Sequence, residues 1–172
     1  GEELAKTTGG KIKITAKVFQ EENKLIKKLK KQHEDILFLF KNLNSFIEGK
    51  DISKTNCMLT LLNLKSELIK HLTLEDKKLY PELDKSKDEK TRKTSKKFSN
   101  EMKGISQAAV DFFNKYSNLK VEEIEKQKSF KKEIKELKEV VKVRIELEEK
   151  VLYPLYEKNP LSTENEKDKI EE

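Results

Sequence analysis

HLTLEDKKLYPEL (71–83) and RIELEEKVLYPLY (144–156) are one pattern written twice, 73 positions apart. Both place a Glu four residues after the first position and carry a shared Leu-Tyr-Pro near the end. One opens with His71 and the other with Arg144. The offset extends upstream: Leu61 maps to Ile134, Leu64 to Leu137 and Leu68 to Val141. Within the pattern, Glu75 maps to Glu148, Leu79 to Leu152, Tyr80 to Tyr153 and Pro81 to Pro154. Every apolar position lands on an apolar position. The chain therefore reads as a duplicated helical hairpin whose second and fourth helices are copies.

Period and punctuation supply the other helices. Ile26, Leu29, His33, Ile36, Phe40, Leu43 and Ile47 recur at steps of three and four, which is one stripe of a helix beginning near Phe19. Gly49 stops it, and Asp51 or Ser53 is placed to cap the next. That second stripe runs Leu61, Leu64, Leu68, His71, Glu75, Leu79, with Pro81 read as its terminator. The polar DKSKDEK (84–90) leads to a third helix carrying Phe98, Ile105, Phe112 and Tyr116, which SNLK (117–120) breaks. The fourth carries Phe130, Ile134, Leu137, Val141, Arg144, Glu148, Leu152 and Leu155, with Pro154 as terminator. Four amphipathic helices with short links predict an all-α fold, an antiparallel up-down-up-down four-helix bundle over 19–158. KIKITAKVF (11–19) alternates with period two and reads as a strand-like arm, so 1–18 stands apart. TTGG (7–10) reads as a processing or cloning scar. NPLSTENEKDKIEE (159–172) is a polar tail expected to fray.

Composition agrees and excludes several functions. Of 172 residues, 41% are charged and only five are Gly and three Pro, which suits long helices. The net charge is +6, yet Lys and Glu alternate as on solvated helix faces. The densest basic run, KTRKTSKKF (90–98), has one aromatic residue, so no nucleic-acid partner is expected. No apolar run nears the roughly 18 residues of a membrane span, and no signal peptide is visible. Cys57 is alone, which rules out a disulfide framework and suits a reducing, cytoplasmic setting.

The polar members of the stripes carry the chemistry. His33, His71, Glu75, Arg144 and Glu148 occupy positions whose neighbours one turn away are mostly apolar. Buried there, they must meet one another or a cation, because an unpaired buried charge is costly. His and Glu four residues apart share a helix face, so His71 and Glu75 can reach one ion. Imidazole and carboxylate are ligands of iron, manganese and zinc. The plainer reading of one histidine on an apolar stripe is a hydrogen-bonded core residue. Here both histidines of the chain lie on stripes, together with two matching carboxylates. Tyr80 and Tyr153 read as packing groups at helix ends.

A duplicated helical hairpin, with His in its first helix and His-x-x-x-Glu followed by Tyr-Pro in its second, resembles the hemerythrin-like (HHE cation-binding) domain. The resemblance covers about 21–158, and HLTLEDKKLYPEL carries its most specific motif. It implies a non-haem di-iron centre inside a bundle, with a His pair from each half and two bridging carboxylates. It also implies roles in O2 binding, in iron or redox sensing, or in repair of iron–sulfur centres. Carried over, His33 and His71 fill the first His pair, and Glu75 and Glu148 the bridging positions. The second half departs from the pattern: Arg144 stands where a His is expected. On the third helix, the position matching His33 falls on Met102 in one register and on Glu101 in another. Glu101 is thus a further candidate ligand, and no His is available there.

Two readings follow. In one, the domain binds a single non-haem ion, iron before zinc or manganese, at His33, His71, Glu75 and Glu148. Arg144 then replaces the second cation by pairing with both carboxylates, and O2 or another small diatomic is the partner molecule. In the other, the metal is lost, no cofactor is bound, and the bundle is a structural or protein-interaction module held by an Arg–carboxylate–His network. An enzyme is the weakest alternative, because no nucleophile or base constellation exists outside this cluster. A Glu101 register favours the first reading and a Met102 register the second.

Overall fold

The computed structural model describes residues 24–49, 54–116, 123 and 128–158. Four long helices make up most of it: α1 (Lys24–Ile47), α2 (Lys54–Leu74), α4 (Glu89–Tyr116) and α5 (Lys128–Leu147). Two short ones, α3 (Tyr80–Asp84) and α6 (Tyr153–Glu157), continue α2 and α5. No strand occurs among the described residues, and the helices pack as a bundle. None of them is long and apolar enough to cross a membrane. The strand-like arm, the Asp51 and Ser53 caps, the SNLK break and the polar tail lie outside the described residues.

The helices form where the period of apolar residues marks them. The buried positions of α1 are Ile26, Leu29, His33, Ile36, Phe40 and Leu43. Gly49 follows α1 with φ +76°, the left-handed conformation that favours glycine after a helix. α4 is started by Asp88, whose Oδ2 accepts from the Thr91 backbone N–H at 3.2 Å and from the Thr91 hydroxyl at 2.7 Å.

Pro81 and Pro154 do not end their helices, contrary to the sequence reading. Each is preceded by a π-helical turn, Glu75–Leu79 and Glu148–Leu152, whose wider loop closes from Tyr80 N–H to Glu75 O and from Tyr153 N–H to Glu148 O. A proline offers no N–H and its ring clashes with the carbonyl four residues back. Widening the turn just ahead of it shifts the hydrogen-bond register where a donor is missing, and the helix resumes with Pro in its first turn. The consequence is rotational. The residue five places after each Glu, Tyr80 or Tyr153, swings onto the Glu's own face and becomes buried.

The core is split in two. One apolar cluster gathers Ile36, Phe40, Leu64, Leu68, Phe112 and Val141, among others. The other gathers Ile26, Leu29, Leu79, Phe98, Leu152 and Tyr153. Each fully buried Leu or Phe contributes about 1.5–3 kcal/mol through loss of water contact. Between the clusters in sequence along the stripes sit His33, His71, Glu75, Arg144 and Glu148, all buried.

Candidate metal centre

α1 supplies His33, the last turn of α2 supplies His71, and the two π-helical turns begin with Glu75 and Glu148. His33 Nε2 lies 3.0 Å from His71 Nε2 and 3.0 Å from Glu148 Oε1, and His71 Nε2 lies 3.4 Å from the same oxygen. Glu75 Oε1 is 3.4 Å from His71 Nε2 and has no hydrogen-bond partner. The Tyr153 hydroxyl donates toward Glu75 Oε2 at 3.1 Å and sits 3.1 Å from His33 Nε2.

The outer nitrogens decide what the inner ones can do. His33 Nδ1 faces Glu149 Oε2 at 3.1 Å, and His71 Nδ1 faces Gln32 Oε1 at 2.9 Å. An ionised carboxylate only accepts, as does an amide oxygen, so each Nδ1 carries its hydrogen outward. In neutral rings both Nε2 lone pairs then point at each other and at Glu148. Acceptors outnumber donors in this layer, and a positive group is needed among them. Fixing an imidazole by hydrogen-bonding its far nitrogen is how proteins present histidine to a metal. Two donors on one ion, each at about 2.1 Å, stand roughly 3.0–3.4 Å apart. The separations here fall in that range, so His33, His71 and Glu148 can hold a cation. A proton on His33 Nε2, shared with Glu148 and His71, is the other way to fill the place.

Burial and the neighbouring polar groups set the charge states. Burial lowers the pKa of His71 and so favours its neutral ring, despite the opposing pull of Glu148. Burial and the neighbouring Glu148 hold Glu75 well above the usual carboxylate range. Burial also pushes Glu148 upward, but its hydrogen bonds with His33, His71 and Glu75 outweigh that and leave it below the ordinary value. Burial, then the charges of Glu75 and Glu148, raise Tyr80 and Tyr153, so both hydroxyls are protonated.

Arg144 is buried but is not suspended between Glu75 and Glu148, as the sequence reading had it. Its Nε is 3.5 Å from Glu148 Oε2, one nitrogen is 3.5 Å from Glu101, and another donates to Tyr80 Oη at 3.0 Å and to the Phe98 carbonyl at 2.7 Å. The guanidinium also lies over the Phe98 ring, 4.5 Å from its centroid. Glu75 takes its hydrogen bond from Tyr153 instead. Glu101 is exposed and stands at the outer edge of Arg144, apart from the histidines. Met102 is half-buried and lines a small cavity beside His33 and His71. The Met102 register is therefore the one the helix adopts.

Sequence reasoning missed Gln32, Glu149 and the hydroxyl roles of Tyr80 and Tyr153. Gln32 and Glu149 are sequence neighbours of His33 and Glu148, which is a usable signal. The tyrosines were hidden by the assumption of 3.6 residues per turn.

A family model described as Hemerythrin HHE cation binding domain matches residues 24–156. No curated protein and no solved structure matches the chain significantly. The matched span is most of the 172 residues, and it contains the histidines and glutamates just described: the chain belongs to the hemerythrin HHE cation-binding domain family.

Proposed function

We propose that this domain binds one non-haem metal ion, iron, in the core layer between its two apolar clusters. The ligands are His33, His71, Glu148 and Glu75, and Arg144 takes the place of a second cation. The observation that carries this is the pair of inward-facing Nε2 atoms 3.0 Å apart, each ring held from behind by Glu149 or Gln32. Glu75 Oε1, buried and unpartnered beside them, supports a fourth donor. Nitrogen and oxygen donors in this mixture suit iron, with zinc and manganese as competing ions.

α1 meets the Leu29 cluster before the Phe40 cluster, α2 with its continuation meets them in the reverse order, and α4 and α5 repeat the alternation. That order supports an up-down-up-down bundle, built as a duplicated hairpin and extending over 19–158. The buried free thiol of Cys57 suits a reducing, cytoplasmic setting.

When bound, iron would supply a centre that changes oxidation state and accepts a small ligand. The protein's part is orientation and exclusion of water. Glu149 and Gln32 fix the two rings, while Ile36, Leu68, Met102 and Ile105 line a cavity of ≈ 20 Å³ beside His33, His71 and Glu148. That is room for about one water-sized molecule. A cavity this small and apolar supports a role in sensing or handling oxygen, redox state or iron itself. The second reading, a metal-free structural or interaction bundle, is favoured by two observations: the Arg144 cation already sits beside Glu148, and α4 brings Met102, not a carboxylate, to the cavity beside His33 and His71. Thermal melts with and without Fe(II) test the choice. Added Fe(II) raises the parent's melting temperature, since binding to the folded state stabilises it, and leaves His71→Ala unmoved. Equal responses, or none in either protein, would remove the metal reading.

A further inference from the structure

Tyr153 holds a place around this centre that the histidine and glutamate ligands do not explain. Its hydroxyl is 3.1 Å from His33 Nε2, 3.1 Å from Glu75 Oε2 and 3.4 Å from Glu148 Oε1. They fall within the 3.0–3.4 Å span that relates the ligand atoms to one another. The ring is fully buried and stacks on His33, with centroids 5.5 Å apart and planes 12° from parallel. The oxygen is therefore fixed by packing, not by a flexible stem. It reaches this place because the π-helical turn at Glu148–Leu152 rotates it onto the face of Glu148.

Its counterpart in the other copy makes the contrast. Tyr80 follows Glu75 across the same kind of turn, but its hydroxyl accepts from Arg144 at 3.0 Å. Arg144 engages that phenol, whereas the Tyr153 hydroxyl meets His33 and the two glutamates.

We propose that Tyr153 is a further ligand of the site, binding ferric iron through its phenolate oxygen. The inference rests on the metal-binding reading above. As the oxygen–iron bond forms, the O–H bond breaks, and the proton is released to the buffer, as metal binding to a protonated ligand requires. Phenolate is an established iron ligand in proteins. The charge of a bound ion reverses the local preference for a protonated phenol, so the phenolate is present only in the loaded protein.

The test is a colour. The full chain and its Tyr153→Phe and Tyr80→Phe variants receive one equivalent of Fe(III) citrate and are desalted. Retained iron is measured alongside visible absorption and resonance Raman spectra. The parent retains iron and shows a visible phenolate-to-iron charge-transfer band with enhanced tyrosine ring modes. Tyr153→Phe loses the band while still retaining iron, and Tyr80→Phe keeps both. Iron-loaded parent without the band, or a band that survives in Tyr153→Phe, overturns the proposal. A parent that retains no iron removes the metal reading and this proposal together, and the metal content tells that case from the others. Should Tyr153→Phe fail to fold, the parent spectrum and its persistence in Tyr80→Phe decide.

Discussion

Arg144 Nε and Glu148 Oε2 face each other at 3.5 Å, one turn apart on the same helical run, and neither atom has a hydrogen-bond partner. The rest of the guanidinium is anchored to Tyr80, to the Phe98 carbonyl and to Glu101. A fixed cation thus stands beside the second carboxylate of the site, where the family's pattern has a histidine. Deleting it leaves Glu148 and the hydroxyl of Tyr80 in a dry layer without their positive neighbour. Arg144→Ala should cost about 3–5 kcal/mol, the scale for removing one partner of a buried pair. Lys135→Ala, on the exposed side of α5, should stay within about 0.5 kcal/mol of the parent. Denaturant melts of the two variants compare them, and an Arg144→Ala that melts with the parent removes the counter-charge role.

Arg144→His restores the family's motif and reverses the logic. Without metal it should lose part of the parent's stability, because a neutral ring cannot reach the anchors of the guanidinium. With Fe(II) it should regain that stability, since an ion bound only to the folded state shifts the equilibrium. Melting temperatures measured with and without Fe(II) give the answer, and a variant indifferent to Fe(II) counts against the substitution having replaced a cation.

Glu75 gives a pH signature. Its carboxyl is held above the ordinary 4.5 by burial and then by the charge of Glu148. A raised carboxyl contributes stability that is fully present below pH 4.5 and is lost as the pH climbs through the folded value. Glutamine mimics the protonated form and does not titrate. Metal-free Glu75→Gln should therefore match the parent near pH 4.5 and exceed it at pH 8 by roughly 1–3 kcal/mol, the scale of a buried unsatisfied polar group. The same variant should bind Fe(II) more weakly. Melts from pH 4.5 to 8 check the first part, and a constant difference across that range contradicts it.

Glu149 and Gln32 predict an effect on affinity without one on folding. Glu149 is only half-buried, so Glu149→Ala should change stability little. It releases the ring of His33, however, and groups in this position are worth about 10–100-fold in metal affinity. Competition with a chelator measures the change, and unaltered affinity would mean that His33 is held by packing alone.

The parts of this molecule legible in the sequence share one physical basis. Ile26, Leu29, Ile36, Phe40 and Leu43 mark α1 because burial imposes the helical period on apolar residues, and His33 is conspicuous only because it interrupts them. The same helical period marks His71, Glu75, Arg144 and Glu148. It fails at Tyr80 and Tyr153, because the turns before Pro81 and Pro154 widen and shift the phase of every later residue. It fails again at Arg144's partners: Tyr80 and Glu101 are set by how helices lie against each other, which no single-helix period encodes. A proline six residues after a buried glutamate was the available warning of the widened turn.

Counting metal tests the central claim most directly. The full chain, purified without a His tag, is exposed to excess Fe(II) without oxygen, desalted, and its iron determined by elemental analysis against protein concentration. One iron per chain is expected in the parent, and none above background in His71→Ala. Two irons per chain would contradict the role given to Arg144, and an iron-free parent would contradict the metal centre itself.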